Sequence, residues 1–83
     1  MRRVGASKLI LVTEMCELLG VTVPTLYRYM RLGHVPEAKK GSQPRGGMQR
    51  YWPANRRKAA REIGKRRLRG EPIEELTYLW DTM

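Results

Sequence analysis

A glycine between two short helical patterns constrains the fold of this chain more than any other feature of its sequence. The first pattern covers residues 14–19, and Gly20 is expected to end the helix. Its apolar stripe consists of Met15, Leu18 and Leu19. Thr13 is expected to act as the N-cap. A second helix is predicted to follow almost at once, and two short helices joined by such a turn form a helix-turn-helix.

The second helix is expected to take Thr22 as its N-cap and to end at Gly33. Pro24 supports this placement, because the N–H that proline lacks has no helical partner in a first turn. Three apolar residues spaced i, i+3 and i+7 are expected to face inward. They are Val23, Leu26 and Met30. Arg28 then points almost directly away from the core.

Turn-forming residues separate this helix pair from a second helical half. Glycine, serine and proline crowd residues 41–47, so residues 37–52 are predicted to form a loose two-stranded hairpin with a basic tip. A third helix is expected from Pro53 to about Arg69, and Pro72 is expected to open a fourth. The inward face of the fourth helix is predicted to consist of Ile73, Leu76, Leu79 and Trp80.

These elements predict a mainly α protein with a small β-hairpin, a winged helix-turn-helix of about four helices plus a wing. Residues 1–8 are expected to form a flexible N-terminal arm, and residues 9–83 a single domain. One cysteine and one histidine leave no disulfide and no Cys/His zinc site, so no metal or cofactor is expected. The absence of a nucleophile–base pair argues against an enzyme. The apolar run at residues 9–12 is too short for a signal peptide or a membrane span, so a cytoplasmic protein of a bacterial cell is expected.

The positive charge is concentrated in the middle of the chain. The whole chain has 17 Lys and Arg against 8 Asp and Glu, a net charge of +9. Residues 37–70 alone have a net charge of +10, whereas residues 71–83 hold four acidic residues and no basic one. Such a block indicates a polyanionic partner, most simply nucleic acid, with solubility of a small domain as the alternative. For the basic run of the third helix, a solvated face and a part of a DNA footprint both stay open.

In a winged helix-turn-helix, the second helix is expected to enter the major groove of double-stranded DNA with its N-terminal half leading. Arg28 is the candidate for reading guanine, because its planar fork matches O6 and N7 together. The predicted contacts of this helix are Thr22, Thr25, Tyr27, Arg28, Tyr29 and Arg31, with core packing as an equal alternative for the two tyrosines. The predicted wing contacts are Lys39, Lys40, Arg45 and Arg50. Thr13, at the start of the first helix, is expected near a phosphate.

Several short motifs follow one another in a fixed order over most of the chain. They are Gly20-Val21-Thr22, Thr25-Leu26, Tyr29, Gly33 before the hairpin, Gly47 with Tyr51, and residues 70–76. Their order and spacing resemble the winged-helix DNA-binding domain of MerR-type regulators. The chain departs from the pattern of that family at Tyr27, Arg28 and Gln49, which bears on the DNA sequence that it reads.

The chain is also similar in size and architecture to phage excisionases. This resemblance implies self-association on neighbouring DNA sites, DNA bending, and excisive recombination by a partner integrase. A small MerR-like transcriptional regulator without an effector domain is the alternative, and an RNA-binding protein is a third interpretation. No small-molecule effector and no membrane partner are expected. Protein contacts are predicted at the acidic end, with helix capping or core packing as the alternatives. These residues are Glu71, Glu74, Glu75 and Trp80.

Overall fold

The structure is a computed structural model that describes residues 9–42 and 48–83. These residues form four α-helices and a small three-stranded antiparallel sheet, which confirms the predicted winged helix-turn-helix class. In chain order the elements are β1 (Leu9–Leu11), α1 (Val12–Leu19), α2 (Val23–Leu32), β2 (Lys39–Ser42), β3 (Met48–Pro53), a 3₁₀ turn (Ala54–Arg56), α3 (Arg57–Leu68), a second 3₁₀ turn (Ile73–Glu75) and α4 (Leu79–Thr82). The arm expected at residues 1–8 and the hairpin tip at residues 43–47 lie outside the described residues.

The sheet has the strand order β1-β3-β2, and both pairings are antiparallel. The pairing of β2 with β3 forms the predicted hairpin, in which Lys40 lies opposite Arg50. The sequence does not predict β1, because three residues are too few to show the two-residue period of a strand. Within this strand Ile10 lies opposite Trp52, and both side chains are buried. The sheet therefore joins the start of α1 to the base of the wing.

The first helix begins earlier than the sequence indicates. α1 starts at Val12, so Thr13 lies inside its first turn and does not cap it. The prediction of a Thr13 cap is wrong because β1 runs directly into α1, which leaves Leu11 at the cap position. Gly20 ends the helix as predicted, with a left-handed φ of 72° that glycine adopts without strain.

The second helix has the predicted bounds but not the predicted inward face. α2 starts directly after Thr22, and Gly33 ends it with a φ of 83°. Leu26 is fully buried and Met30 is half-buried, whereas the side chain of Val23 is 42% exposed. The inward prediction is wrong for Val23, because this residue is the first of the helix and lies at its exposed end.

One hydrophobic core connects the sheet with α1, α2 and α3. Its large buried side chains include Ile10, Met15, Leu19, Leu26, Trp52 and Ile63. The indole N–H of Trp52 donates to the backbone oxygen of Pro36 at 2.8 Å, so the ring is buried with its polar atom paired. Cys16 lies in the same core, where burial, with a smaller contribution from Glu17, raises the pKa of its thiol.

A close crossing of α1 and α3 depends on Gly64. A Cβ atom at this position would collide with the backbone oxygen of Leu18. Glycine inside a helix costs about 1 kcal/mol relative to alanine, so the close approach of the two backbones explains its presence here. This contact fixes α3 against the first helix of the helix-turn-helix.

The C-terminal segment packs as predicted but is not one continuous helix. Its backbone N–H groups bond to oxygens three residues earlier, as from Leu76 to Ile73 at 2.9 Å and from Leu79 to Leu76 at 3.0 Å. This tighter 3₁₀ pattern aligns residues spaced by three on one side. The four residues expected to face inward are all buried, although the prediction of one helix that begins at Pro72 is wrong. They are Ile73, Leu76, Leu79 and Trp80.

Candidate nucleic-acid interface

The outer face of α2 presents two arginines. Arg28 and Arg31 are both exposed, and neither has a polar partner among the residues that the structure describes. Leu26 is the one buried residue of this helix and lies on its opposite side. At about 100° per residue, the two guanidinium groups leave the helix on the same side. Arg28 thus points away from the core, as its spacing from Leu26 predicts.

Two threonines meet at the leading end of α2. The Thr22 hydroxyl donates to the hydroxyl oxygen of Thr25 at 3.1 Å, in place of a cap bond to the backbone. A hydroxyl has one hydrogen to donate, so the Thr25 hydrogen remains available for an outward hydrogen bond. The exposed side chain of Val23 lies between them in sequence and adds an apolar surface at this end.

Tyr29 is held by residues of the protein itself. Its hydroxyl accepts a hydrogen bond from Arg67 at 3.3 Å, and the same guanidinium lies 5.7 Å from the centroid of its ring. The ring of His34 meets that of Tyr29 edge-on at 6.0 Å. Arg67 also donates to the backbone oxygen of Leu19 at 2.7 Å. Arg67 therefore ties α3 to the end of α1 and to α2, which favours packing over phosphate contact for Tyr29.

Tyr27 connects α2 with the wing. The guanidinium of Arg50, on β3, lies over the Tyr27 ring at 5.1 Å from its centroid, a cation–π distance. Both residues border an open cleft of about 380 Å³, which Met30, Arg31 and Glu37 also line. The wing arginine and the α2 arginine Arg31 thus border one cleft between the two elements.

The described part of the wing carries the other predicted cations. Lys39 and Lys40 on β2 are exposed, and successive strand residues point to opposite faces. Gly41 lets the ring of Tyr51 lie across the strand, because a Cβ there would come within 3.1 Å of that ring. Arg45 lies outside the described residues.

Four arginines around α3 bind partners inside the protein. Arg56 donates to the backbone oxygen of Trp80 at 2.7 Å, Arg57 to the Glu14 carboxylate at 2.7 Å, Arg66 to the Glu62 carboxylate at 2.8 Å, and Arg67 to Leu19 as described above. The bond to Glu14 raises the pKa of Arg57, and the bond to Glu62 raises that of Arg66. The same bond, with weaker attraction from nearby cations, lowers the pKa of Glu62. The spacing of four residues between Glu62 and Arg66 is a signal that could have revealed their pairing. The partners of the other three arginines lie far away in sequence, so nothing in the basic run indicates them.

Four other basic residues on the same helix are exposed, and we call them the outer stripe of α3. They are Lys58, Arg61, Lys65 and Arg69, the last directly after the end of the helix. Within the described residues, their one ion pair joins Lys65 to Glu62 at a long 3.8 Å.

Three further residues predicted to make contacts lie beside α2. Thr13 is exposed and borders a shallow depression together with Thr22 and Val23, at the junction of α1 and α2. Glu71 and Glu74 line an open cleft of about 380 Å³ that Arg28 also borders.

The last two predicted protein contacts differ in exposure. Glu75 is exposed. Trp80 is 6% exposed, and its indole N–H donates to the backbone oxygen of His34 at 2.9 Å, so it lies in the core. Core packing, and not a protein contact, describes Trp80.

The described residues contain no group of three or more His, Cys, Asp or Glu placed to hold a metal ion. Across residues 9–42 and 48–83, no helix has both the length and the apolar composition needed to cross a membrane.

The exposed second helix, the glycine-ended turn before it and the hairpin after it define a winged helix-turn-helix that binds DNA. Comparison with protein families agrees: residues 12–53 match the family described as a helix-turn-helix domain. This match runs from the first residue of α1 to the last residue of β3 and covers half of the chain. The protein belongs to this family, and its partner is double-stranded DNA. No curated protein and no solved structure matches the chain significantly.

Proposed function

We propose that the protein binds specific sites on double-stranded DNA, with α2 in the major groove and the wing against the adjacent backbone. The observation that carries this proposal is the pair of exposed arginines on the outer face of α2 that have no polar partner within residues 9–42 and 48–83, next to a wing arginine that stacks on Tyr27. A planar guanidinium binds guanine O6 and N7 together, so Arg28 is the residue that reads the sequence. Arg31 lies on the same side and binds a phosphate.

The other contacts of this interface position the protein. The free Thr25 hydrogen donates to an acceptor at the leading end of α2, and Thr13 and Thr22 line the phosphate approach there. Lys39, Lys40 and Arg45 bind wing-side phosphates. The stacking of Arg50 on Tyr27 fixes the angle between wing and helix, so both enter the DNA in one orientation.

The biological role that we propose is that of an excisionase-type factor. It binds neighbouring attachment-site sequences, associates with further copies through the half-buried Glu71 and the exposed Glu74 and Glu75, and bends the DNA for a partner integrase. This role rests on the order and spacing of the MerR-type motifs. A small transcriptional regulator with the same fold is the second candidate, because both roles use the same DNA interface.

Footprinting on the DNA that flanks the gene separates the two roles. Protection of repeated sites at a recombination attachment sequence is the expected result. Protection confined to a promoter would replace the recombination role with transcriptional regulation and leave the DNA interface unchanged.

The Arg28→Ala change tests the interface itself. We expect it to weaken binding to the specific site by about 10- to 100-fold, since one bidentate guanine contact is worth about 1–3 kcal/mol. Binding to unrelated DNA should fall much less. The matched control is Arg28→Lys, which keeps the charge, loses the planar fork, and should lose specificity while retaining non-specific affinity. Equal losses on specific and unrelated duplexes with Arg28→Ala, measured by fluorescence anisotropy, would mean that Arg28 contacts only the DNA backbone.

A further inference from the structure

The basic residues around α3 divide into two groups with different surroundings. Arg56, Arg57, Arg66 and Arg67 donate hydrogen bonds to carboxylates and backbone oxygens of the protein. The four residues of the outer stripe are exposed. Among the described residues, their one ion pair is the long contact of Lys65 with Glu62. Internal packing therefore explains the first group and leaves the second group unexplained.

The outer stripe is a continuous line of positive charge. At about 100° per residue, its four members fall within a sector of about 80°, and at about 1.5 Å per residue they extend over about 16 Å. The buried side of the helix lies opposite this sector. That buried side consists of Ala59, Ala60, Ile63 and Gly64. The stripe thus faces away from the packing of α3 on α1.

The stripe places like charges next to one another, although the helix dipole favours Lys65 and Arg69 at the C-terminal end of α3. Arg61 and Lys65, and again Lys65 and Arg69, are like charges four residues apart, which destabilises a helix. Lys58 adds a cation to the first turn, where the helix dipole disfavours it. A polyanion bound along the stripe removes this repulsion and releases its own counterions.

We propose that the outer stripe of α3 is a second DNA-binding surface, which binds phosphates beyond those contacted by α2 and the wing. The proposal rests on the DNA binding of this family, and the charge of the stripe is complementary to a phosphate backbone. Its length of about 16 Å matches about half a turn of B-DNA. The phosphates come from one of two sources: flanking DNA of the same duplex, curved toward α3, or a second duplex that the protein brings alongside the first.

The test uses the double variant Arg61→Gln, Arg69→Gln in the full-length protein. Neither side chain forms a hydrogen bond or an ion pair with the described residues, and Arg69 adds only a weak attraction to Glu62, so the fold should be retained, which circular dichroism checks. Binding is measured against salt concentration on a specific duplex of about 11 base pairs and on one of about 31 base pairs, one and three helical turns. A second assay measures whether protein on an immobilised duplex captures a fluorescent second duplex.

A matched control separates local contact from net charge. The variant Thr82→Glu, Met83→Glu lowers the net charge by the same two units at two exposed positions outside the stripe. It should shift affinity similarly on short and long duplexes.

If flanking DNA is the source, the stripe variant lowers the salt slope on the long duplex by about two, near 0.9 for each lost phosphate contact. On the short duplex its salt slope stays that of the wild type, and its affinity shifts no more than that of the control. If a second duplex is the source, capture of that duplex is lost and both slopes are retained. Either result supports the second surface.

Equal effects of the stripe variant and the control in every assay would overturn the proposal. So would a stripe variant that changes only self-association without DNA, which would assign the stripe to the acidic end of another copy. A failure of the proposed role of α2 would show itself in another experiment. Arg28→Ala would then weaken binding to the short specific duplex no more than binding to an unrelated duplex.

Discussion

The two longest helices of this protein, α2 and α3, carry positive charge in different ways. α2 buries one of its ten residues, and its two arginines point outward without internal partners among the described residues. α3 buries four of its twelve residues, and three of its own arginines bind groups within the protein. α2 therefore packs little against the protein and presents its outer surface, whereas α3 is packed along one side and supports α2.

The difference shows how a small domain exposes a reading helix. Besides the buried Leu26, α2 packs Tyr29 and Met30 only partly against the core, so its position also depends on polar contacts made to it. Arg67 supplies such a contact from α3, because it reaches both the end of α1 and the ring of Tyr29. Substitutions in α3 should therefore change stability first, and outward substitutions in α2 should change DNA binding alone.

The largest effect on stability is expected at Gly64. Gly64→Ala places a methyl group against the Leu18 backbone oxygen and should destabilise the fold by about 2 kcal/mol, because overpacking outweighs the better helix propensity of alanine. Urea denaturation measures the difference. Leu68→Ala, at a position 88% exposed in the same helix, should change stability by less than about 0.5 kcal/mol. A Gly64→Ala protein as stable as the wild type would mean that α1 and α3 do not approach this closely.

An intermediate effect is expected at Arg67. Arg67→Met keeps much of the side-chain volume but leaves the Leu19 oxygen and the Tyr29 hydroxyl without this donor, and should cost about 1–2 kcal/mol, discounted for partial exposure. It should also weaken specific DNA binding, since α2 loses its support. The control is Arg61→Met on the exposed side, which should leave stability within about 0.5 kcal/mol. If both variants unfold at the same urea concentration, the division of α3 into a supporting and an exposed side is wrong.

The smallest effect is expected at Glu62. The bond from Arg66 lowers the pKa of Glu62 in the folded protein, so this carboxylate stabilises the fold above the pKa of its unfolded state. The contribution disappears as the pH falls through the lowered folded value. Thermal unfolding should thus show Glu62→Gln below the wild type at neutral pH, with the gap closing as the pH falls through the lowered pKa of the folded state. Glu75→Gln, an exposed carboxylate, is the comparison, and a gap for Glu62→Gln that widens in acid would contradict the ion pair.

Local signals in the sequence account for the helix-turn-helix and for the hairpin. Gly20 and Gly33 adopt the left-handed φ that ends a helix, and Pro24 lies in a first turn, as their residue types indicate. The sequence does not predict the pairing of β1 with β3, because a three-residue strand is recognised only once its partner strand is known. The 3₁₀ geometry after Pro72 also escapes prediction, since residues spaced by three suit an α-helix nearly as well.

The candidate interface was predictable only where a residue's direction depends on its neighbours within one helix. The outward direction of Arg28 follows from its spacing to Leu26 within one helix. The packing of Tyr29 does not, because its partner Arg67 lies 38 residues further along the chain.

The sequence by itself determined the helix pair, the turn between its members and the hairpin after it, and the excess of positive charge in the middle of the chain. The tertiary structure decided which cations are available to DNA. Periodicity and capping act between residues a turn or two apart, whereas Arg67 meets Leu19 across 48 residues and Arg57 meets Glu14 across 43. A guanidinium is structural or exposed according to the backbone oxygen or carboxylate that the fold brings to it.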